Sequence, residues 1–99
     1  MKTLKQIPVT YEFVEHIPDF DFMEPNVIYI SKEYDISCHK CLCGCGNEAA
    51  MILNEDENDK TGWDYNTNNG KISFTPSILN THCPNRYHYI ITDGIANVV

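Results

Sequence analysis

The sequence predicts a mainly β fold, a small antiparallel sheet structure in one domain spanning residues 1–99. Three observations predict it. Short runs rich in β-branched and aromatic residues recur between turn signals, the pattern of short antiparallel strands. Two dipeptides, Asn69-Gly70 and Asp93-Gly94, sit between such runs and favour the positive φ angles of tight hairpin turns. Cysteines crowd into Cys41-Leu42-Cys43-Gly44-Cys45-Gly46, with Cys83 and His88 about forty residues downstream. That distribution fits two remote segments held on one metal ion.

Thr10 to Ile17 carries Tyr, Phe, Val and Ile and stops at Pro18, so a strand is expected there, with Pro8 just before it. Residues 19–25 connect it to Asn26–Ser31, the clearest β run, apolar on both faces at its centre and so buried. After the cysteine segment, Glu48–Leu53 has the propensity for a helical turn but is too short to stand alone as a helix. A strand leaving the metal loop is the better reading. Trp63-Asp64-Tyr65 reads as a short strand. Lys71–Thr75 alternates, with Ile72 and Phe74 facing in and Ser73 and Thr75 facing out. Tyr87–Thr92 and Ile95–Val99 form the closing hairpin.

Residues 54–60 are acidic and hydrophilic. A calcium loop there needs Gly at its sixth position and Glu at its twelfth. Counting from Asp56 puts Thr61 sixth; counting from Glu57 puts Gly62 sixth but Asn68 twelfth. Neither register works, which leaves a solvated turn.

With 99 residues, the chain lies near the low end of what one core stabilises unaided. A hydrophobic fraction of 42% separates it from disordered tails. Fourteen acidic residues against seven basic give a net charge of −7. Phosphate backbones are held by Lys and Arg, so the balance argues against nucleic acid and suits a protein partner. Five cysteines cannot all pair, four fall within eight residues, and residues 1–18 contain no uninterrupted apolar stretch. A reducing, cytoplasmic setting follows, with no membrane span. Oligomeric state is not encoded legibly.

Zinc prefers four tetrahedral ligands, mainly thiolate and imidazole. Residues i, i+2 and i+4 of an extended segment point to one side. Cys41, Cys43 and Cys45 can therefore face one point if the backbone curls, and Gly44 and Gly46 permit the curl. Cys83 is the fourth thiol, and His88 is either a ligand or a partner of one. The ion expected is a structural Zn2+. Cys38 forms Cys-x-x-Cys with Cys41 and competes for a position, and His39 also lies within reach. A lone Cys is more often a small buried hydrophobe, the preferred account of Cys38. His16 and His82 read as surface or satisfied core residues. A redox role for the thiols leaves the distant Cys83–His88 pair without a job, and iron–sulfur spacings are missing.

At these residues the chain resembles a family of small bacterial and phage proteins known as a domain of unknown function. The matching pieces are Cys41 to Gly46, Trp63, Phe74-Thr75-Pro76-Ser77-Ile78, Cys83, and His88-Tyr89-Ile90 with Gly94. Val27–Ser31 fits the family's upstream strand, and the resemblance runs from about Phe13 to the end. The family usually has Pro where this chain has Leu42, and two residues rather than four between the late Cys and His. Some members are encoded beside bacterial ubiquitin-like conjugation genes, which implies an accessory role there.

The first expectation for function is thus a non-catalytic zinc-binding accessory or adaptor protein that docks a partner protein. A catalytic zinc needs an open position and a nearby base, and thiolate-rich ligation quenches Lewis acidity. The alternatives are a thiol-dependent enzyme or acyl carrier acting through a free, exposed Cys38, and a nucleic-acid-binding zinc ribbon, which the charge disfavours.

Overall fold

The computed structural model describes residues 5–56, 58–59, 61–80 and 83–99. The expectations that fall on Glu57, Lys60 and His82 lie outside those residues. The described residues form ten strands: β1 (Lys5–Pro8), β2 (Thr10–Phe13), β3 (Val27–Ser31), β4 (Ile36–Lys40), β5 (Glu48–Ile52), β6 (Asp64–Asn68), β7 (Lys71–Thr75), β8 (Ile78–Leu79), β9 (His88–Thr92) and β10 (Ile95–Val98). They form one four-stranded sheet in the order β1-β10-β9-β8, a second in the order β2-β3-β4-β5, and the hairpin β6-β7. A 3-10 turn at Phe20–Phe22 is the one helical element among the described residues, and no helix there is long and apolar enough to cross a membrane.

The mainly β, mostly antiparallel architecture expected from the strand signals is present. The exception is the β2–β3 pair, which is parallel, with Thr10 opposite Val27 and Phe13 opposite Ile30. Residues 14–25 have to travel back along the sheet to make that pairing. This is why the first strand ends at Phe13 rather than Ile17. Val14 N–H still bonds the Ile30 carbonyl at 2.9 Å, and Ser31 Oγ then ties the departing chain through the Glu15 carbonyl at 2.8 Å.

The two hairpin turns follow from their dipeptides. Asn69 and Gly70 have φ of 54° and 76°, and Asp93 and Gly94 of 49° and 78°. Both central residues are left-handed, as a type I′ turn requires. Lys71–Thr75 buries Ile72 and Phe74 as its alternation predicts. Glu48–Ile52 is a strand, burying Ala49 and Met51.

One core lies where the sheets and hairpin meet, built around Ile28, Ile30, Met51, Ile72, Phe74 and Tyr89. Each such side chain taken out of water contributes roughly 1.5–3 kcal/mol. A smaller cluster of Met23, Tyr29 and Cys38 sits beneath Val14, Ile17 and Phe20 of the β2–β3 connection. The described residues of the acidic segment bond to one another and to Thr61. Asp56 Oδ1 accepts from the N–H groups of Asn58 and Asp59, and Asp59 Oδ1 accepts from Thr61 N–H and its hydroxyl. Those oxygens are engaged with their own loop.

Candidate active site and metal centre

The cysteine loop leaves β4 and returns to β5. Cys41 N–H donates to the Asn47 carbonyl at 2.9 Å, closing the loop, and Gly44 N–H donates to the Cys41 carbonyl at 3.1 Å inside it. Gly44 and Gly46 have φ of 80° and 87°, and a Cβ on either would meet nothing within 4 Å. Backbone conformation, not crowding, therefore demands glycine at these two positions. Cys83 lies between β8 and β9, where its N–H donates to the Asn80 carbonyl and its own carbonyl accepts from Arg86 N–H.

The Sγ atoms of Cys41, Cys43, Cys45 and Cys83 all lie within 4.8 Å of one another. Cys43 Sγ is 3.1 Å from that of Cys83 and 3.5 Å from that of Cys41. A tetrahedral zinc at about 2.3 Å from four sulfurs spaces them by about 3.8 Å. Four thiols on two remote segments, at about that spacing, are a donor set able to hold a metal ion. Asn47 Nδ2 donates to Cys45 Sγ at 3.5 Å, and Asn85 Nδ2 to Cys43 Sγ at 3.6 Å.

The thiols differ in acidity. Burial pushes Cys41 up to about 12 and raises Cys43 as well. Burial also opposes ionisation of Cys83. The backbone N–H of Tyr87, the Cys43 thiol and the backbone N–H of Asn85 outweigh it and bring Cys83 down to about 6. Cys45 is lowered by the backbone N–H of Asn47. Binding a metal releases the protons that the other thiols retain.

Beneath the sulfurs, His39 is fully buried and its Nε2 lies 2.5 Å from the Tyr89 hydroxyl. Burial lowers the His39 pKa to about 4, so its imidazole is neutral at pH 7. Burial, followed by the charge of the neighbouring Cys41 and Cys83, raises the Tyr89 phenol. Cys38 lies outside the sulfur cluster and is 4% exposed. Burial, reinforced by Glu48, pushes its thiol up to about 12, so it has neither the exposure nor the thiolate character that acyl transfer needs.

His88 stands apart from the four sulfurs. It opens β9, and its Nε2 is 2.7 Å from Ser77 Oγ. The register explains the meeting. Ile78 pairs with Tyr89 and Leu79 with His88, so Ser77 is one rung beyond the pairing, on the same outer face as His88. Leu79 and Ile90 share that face and are 42% and 39% exposed. Trp63 Nε1 donates to the Ser77 carbonyl at 3.3 Å. Trp63 is itself fixed, its N–H on the Ile52 carbonyl at 3.0 Å and its carbonyl on Asn54 N–H at 2.8 Å.

A hydroxyl within hydrogen-bond reach of an imidazole, on a half-exposed face, has the arrangement of an activated nucleophile and its base. Reading the residues alone did not single out Ser77. No Gly-x-Ser-x-Gly or similar signature surrounds it, and the one signal was its place in the Pro76-Ser77-Ile78 piece of the family resemblance.

No curated protein and no solved structure matches the chain. Residues 13–99, however, match the family model described as bacterial ubiquitination-like system serine protease (BubE), and the chain belongs to that family.

Proposed function

We propose that this chain is a serine protease of a bacterial ubiquitination-like system, with Ser77 as nucleophile and His88 as general base. The single observation that carries the reading is the 2.7 Å contact between Ser77 Oγ and His88 Nε2 in a member of a family described as a protease. As Oγ attacks the carbonyl carbon of the scissile bond, Nε2 accepts its proton and then delivers it to the departing amine. Water, deprotonated by the same imidazole, hydrolyses the resulting seryl ester and regenerates the hydroxyl.

Cys41, Cys43, Cys45 and Cys83 are the ligands we assign to a structural zinc ion, which four thiols suit better than a catalytic one. The ion pins the turn before β9 to the β4–β5 loop and so steadies the strand that carries His88. His88 belongs to the hydrolytic pair in this reading rather than to the metal. The protein partner is then a substrate, and the charge of −7 fits a polypeptide better than a phosphate backbone. A reducing cytoplasm suits the thiol site.

Labelling with a fluorophosphonate, which captures activated serines, tests this. Metal-loaded protein takes up one equivalent at Ser77, and Ser77→Ala and His88→Gln abolish it while leaving the fold intact. Absence of labelling at Ser77 in folded protein overturns the reading and returns the chain to a non-catalytic adaptor role.

A further inference from the structure

Next to the Ser77–His88 pair, the edges of both sheets lie open. Bonding between β8 and β9 continues through Asn80 N–H to the Tyr87 carbonyl at 3.4 Å. In an antiparallel pair, bonded and non-bonded positions alternate. Asn80–Tyr87 and Ile78–Tyr89 are then the bonded pairs, so the N–H and C=O of Leu79 point away from β9. The carbonyl of Ser77 points the same way, and the Trp63 indole meets it there.

The facing edge of β5 follows the same rule. Cys41 N–H to the Asn47 carbonyl and Leu53 N–H to the Asp35 carbonyl fix the bonded positions with β4. Glu48, Ala50 and Ile52 therefore turn their backbone groups outward. Trp63 N–H takes the Ile52 carbonyl; among the described residues, no backbone group bonds to the outward groups of Glu48, Ala50 or Leu79. A cleft of about 280 Å3 separates these edges, lined by Glu48, Ala50 and Met51 on one side, by Ile78, Leu79 and Asn80 on the other, and by Trp63. A volume at the low end of ligand pockets suits a short stretch of chain better than a bulky cofactor.

We propose that this cleft binds substrate polypeptide as an added strand along the open edge of β8, paired to the backbone of Leu79 and led past Trp63 to Ser77. The inference rests on the serine protease reading and names the form its substrate takes. Main-chain hydrogen bonds to an unpaired edge supply affinity, and alternate side chains supply specificity. One set of side chains meets Trp63 and Met51 in the cleft. The other set lies over Leu79 and Ile90 on the outer face. The segment recognised is therefore extended, apolar on the face that lies over Leu79 and Ile90, with a free backbone N–H at the position opposite Leu79.

Two phosphonates test this on metal-loaded protein: acetyl-alanyl diphenyl phosphonate, and the same warhead extended as acetyl-Leu-Ala-Leu-alanyl. In each, Ser77 Oγ bonds to phosphorus and phenoxide leaves, accepting the proton that His88 removed. The extended probe should inactivate at least tenfold faster. N-methylation of alternate amides should remove the gain at positions that pair with β8 and spare it at the positions between. Ala50→Trp, a change at an exposed residue of the cleft wall, should remove the extended probe's gain. Equal rates for the two probes, or a gain indifferent to methyl position and to Ala50→Trp, overturn the cleft proposal alone. Failure of both phosphonates and of fluorophosphonate to label Ser77 overturns the serine protease reading, and this inference with it.

Discussion

Tyr89 of β9 and His39 of β4 belong to different sheets and meet in the interior, hydroxyl to Nε2, at 2.5 Å. Both are completely buried, and the pair lies under the cysteine cluster whose charge is felt at the phenol. This polar bond joins the sheet bearing His88 to the sheet whose strand β4 leads into Cys41.

Tyr89→Phe removes the hydroxyl and leaves the His39 ring buried without that partner. An unsatisfied buried group costs about 1–3 kcal/mol, whereas replacing both partners with apolar groups recovers part of the loss. Urea unfolding of metal-loaded protein should place Tyr89→Phe below wild type by that amount. The double variant Tyr89→Phe/His39→Leu should be less destabilised than the sum of the two single changes.

Metal content separates the five cysteines. Serine at any of positions 41, 43, 45 or 83 should lower bound zinc well below one equivalent, measured by elemental analysis. Cys38→Ala should retain a full equivalent, because that thiol packs with Met23 and Tyr29 away from the cluster. Chelation should lower Tm by on the order of 10 °C or more, since each kcal/mol lost shifts a domain of this size by roughly 4–8 °C.

What the sequence made legible follows from how each element signals itself. Strands with an apolar face, such as Val27–Ser31 and Lys71–Thr75, announce their period, and Asn69-Gly70 and Asp93-Gly94 announce their turns. Ile36–Lys40 did not, because it buries Ser37 and His39, polar residues that break the apolar pattern. Ile78–Leu79 is too short to carry a period, and Lys5–Pro8 is mostly exposed. The thiol cluster was legible because ligand chemistry restricts residue type and spacing. The Ser77–His88 contact was not, because it depends on the register between a two-residue strand and its neighbour, which no local pattern specifies.

Gly62 is predicted to resist substitution although its φ is unremarkable. A Cβ there would lie 2.2 Å from the Ile52 carbonyl oxygen, a backbone atom unable to yield without displacing β5. Its N–H also bonds Asn54 Oδ1 at 2.6 Å. Gly62→Ala must push the Trp63 segment off the β5 edge, at a cost of about 1–3 kcal/mol, as other overpacking changes do. Thermal unfolding measures the loss, and tryptophan fluorescence of this single-Trp chain should shift as the indole moves.

Trp63→Phe tests whether the indole places the nucleophile or only fills space. The ring can still pack against the core, which Trp63 touches from its rim. What disappears is the N–H that holds the Ser77 carbonyl at 3.3 Å. One such bond contributes about 0.5–1.5 kcal/mol, and its loss frees the residue that must keep Oγ at His88. Fluorophosphonate labelling of Ser77 should therefore slow by roughly 3–10-fold, the rate equivalent of that energy. If packing alone mattered, Tm would fall while the labelling rate of the folded fraction stayed at the wild-type value. A slower labelling rate of the folded fraction instead places the indole N–H in control of the serine, because the aromatic surface is largely retained and only the bond to the Ser77 carbonyl has gone.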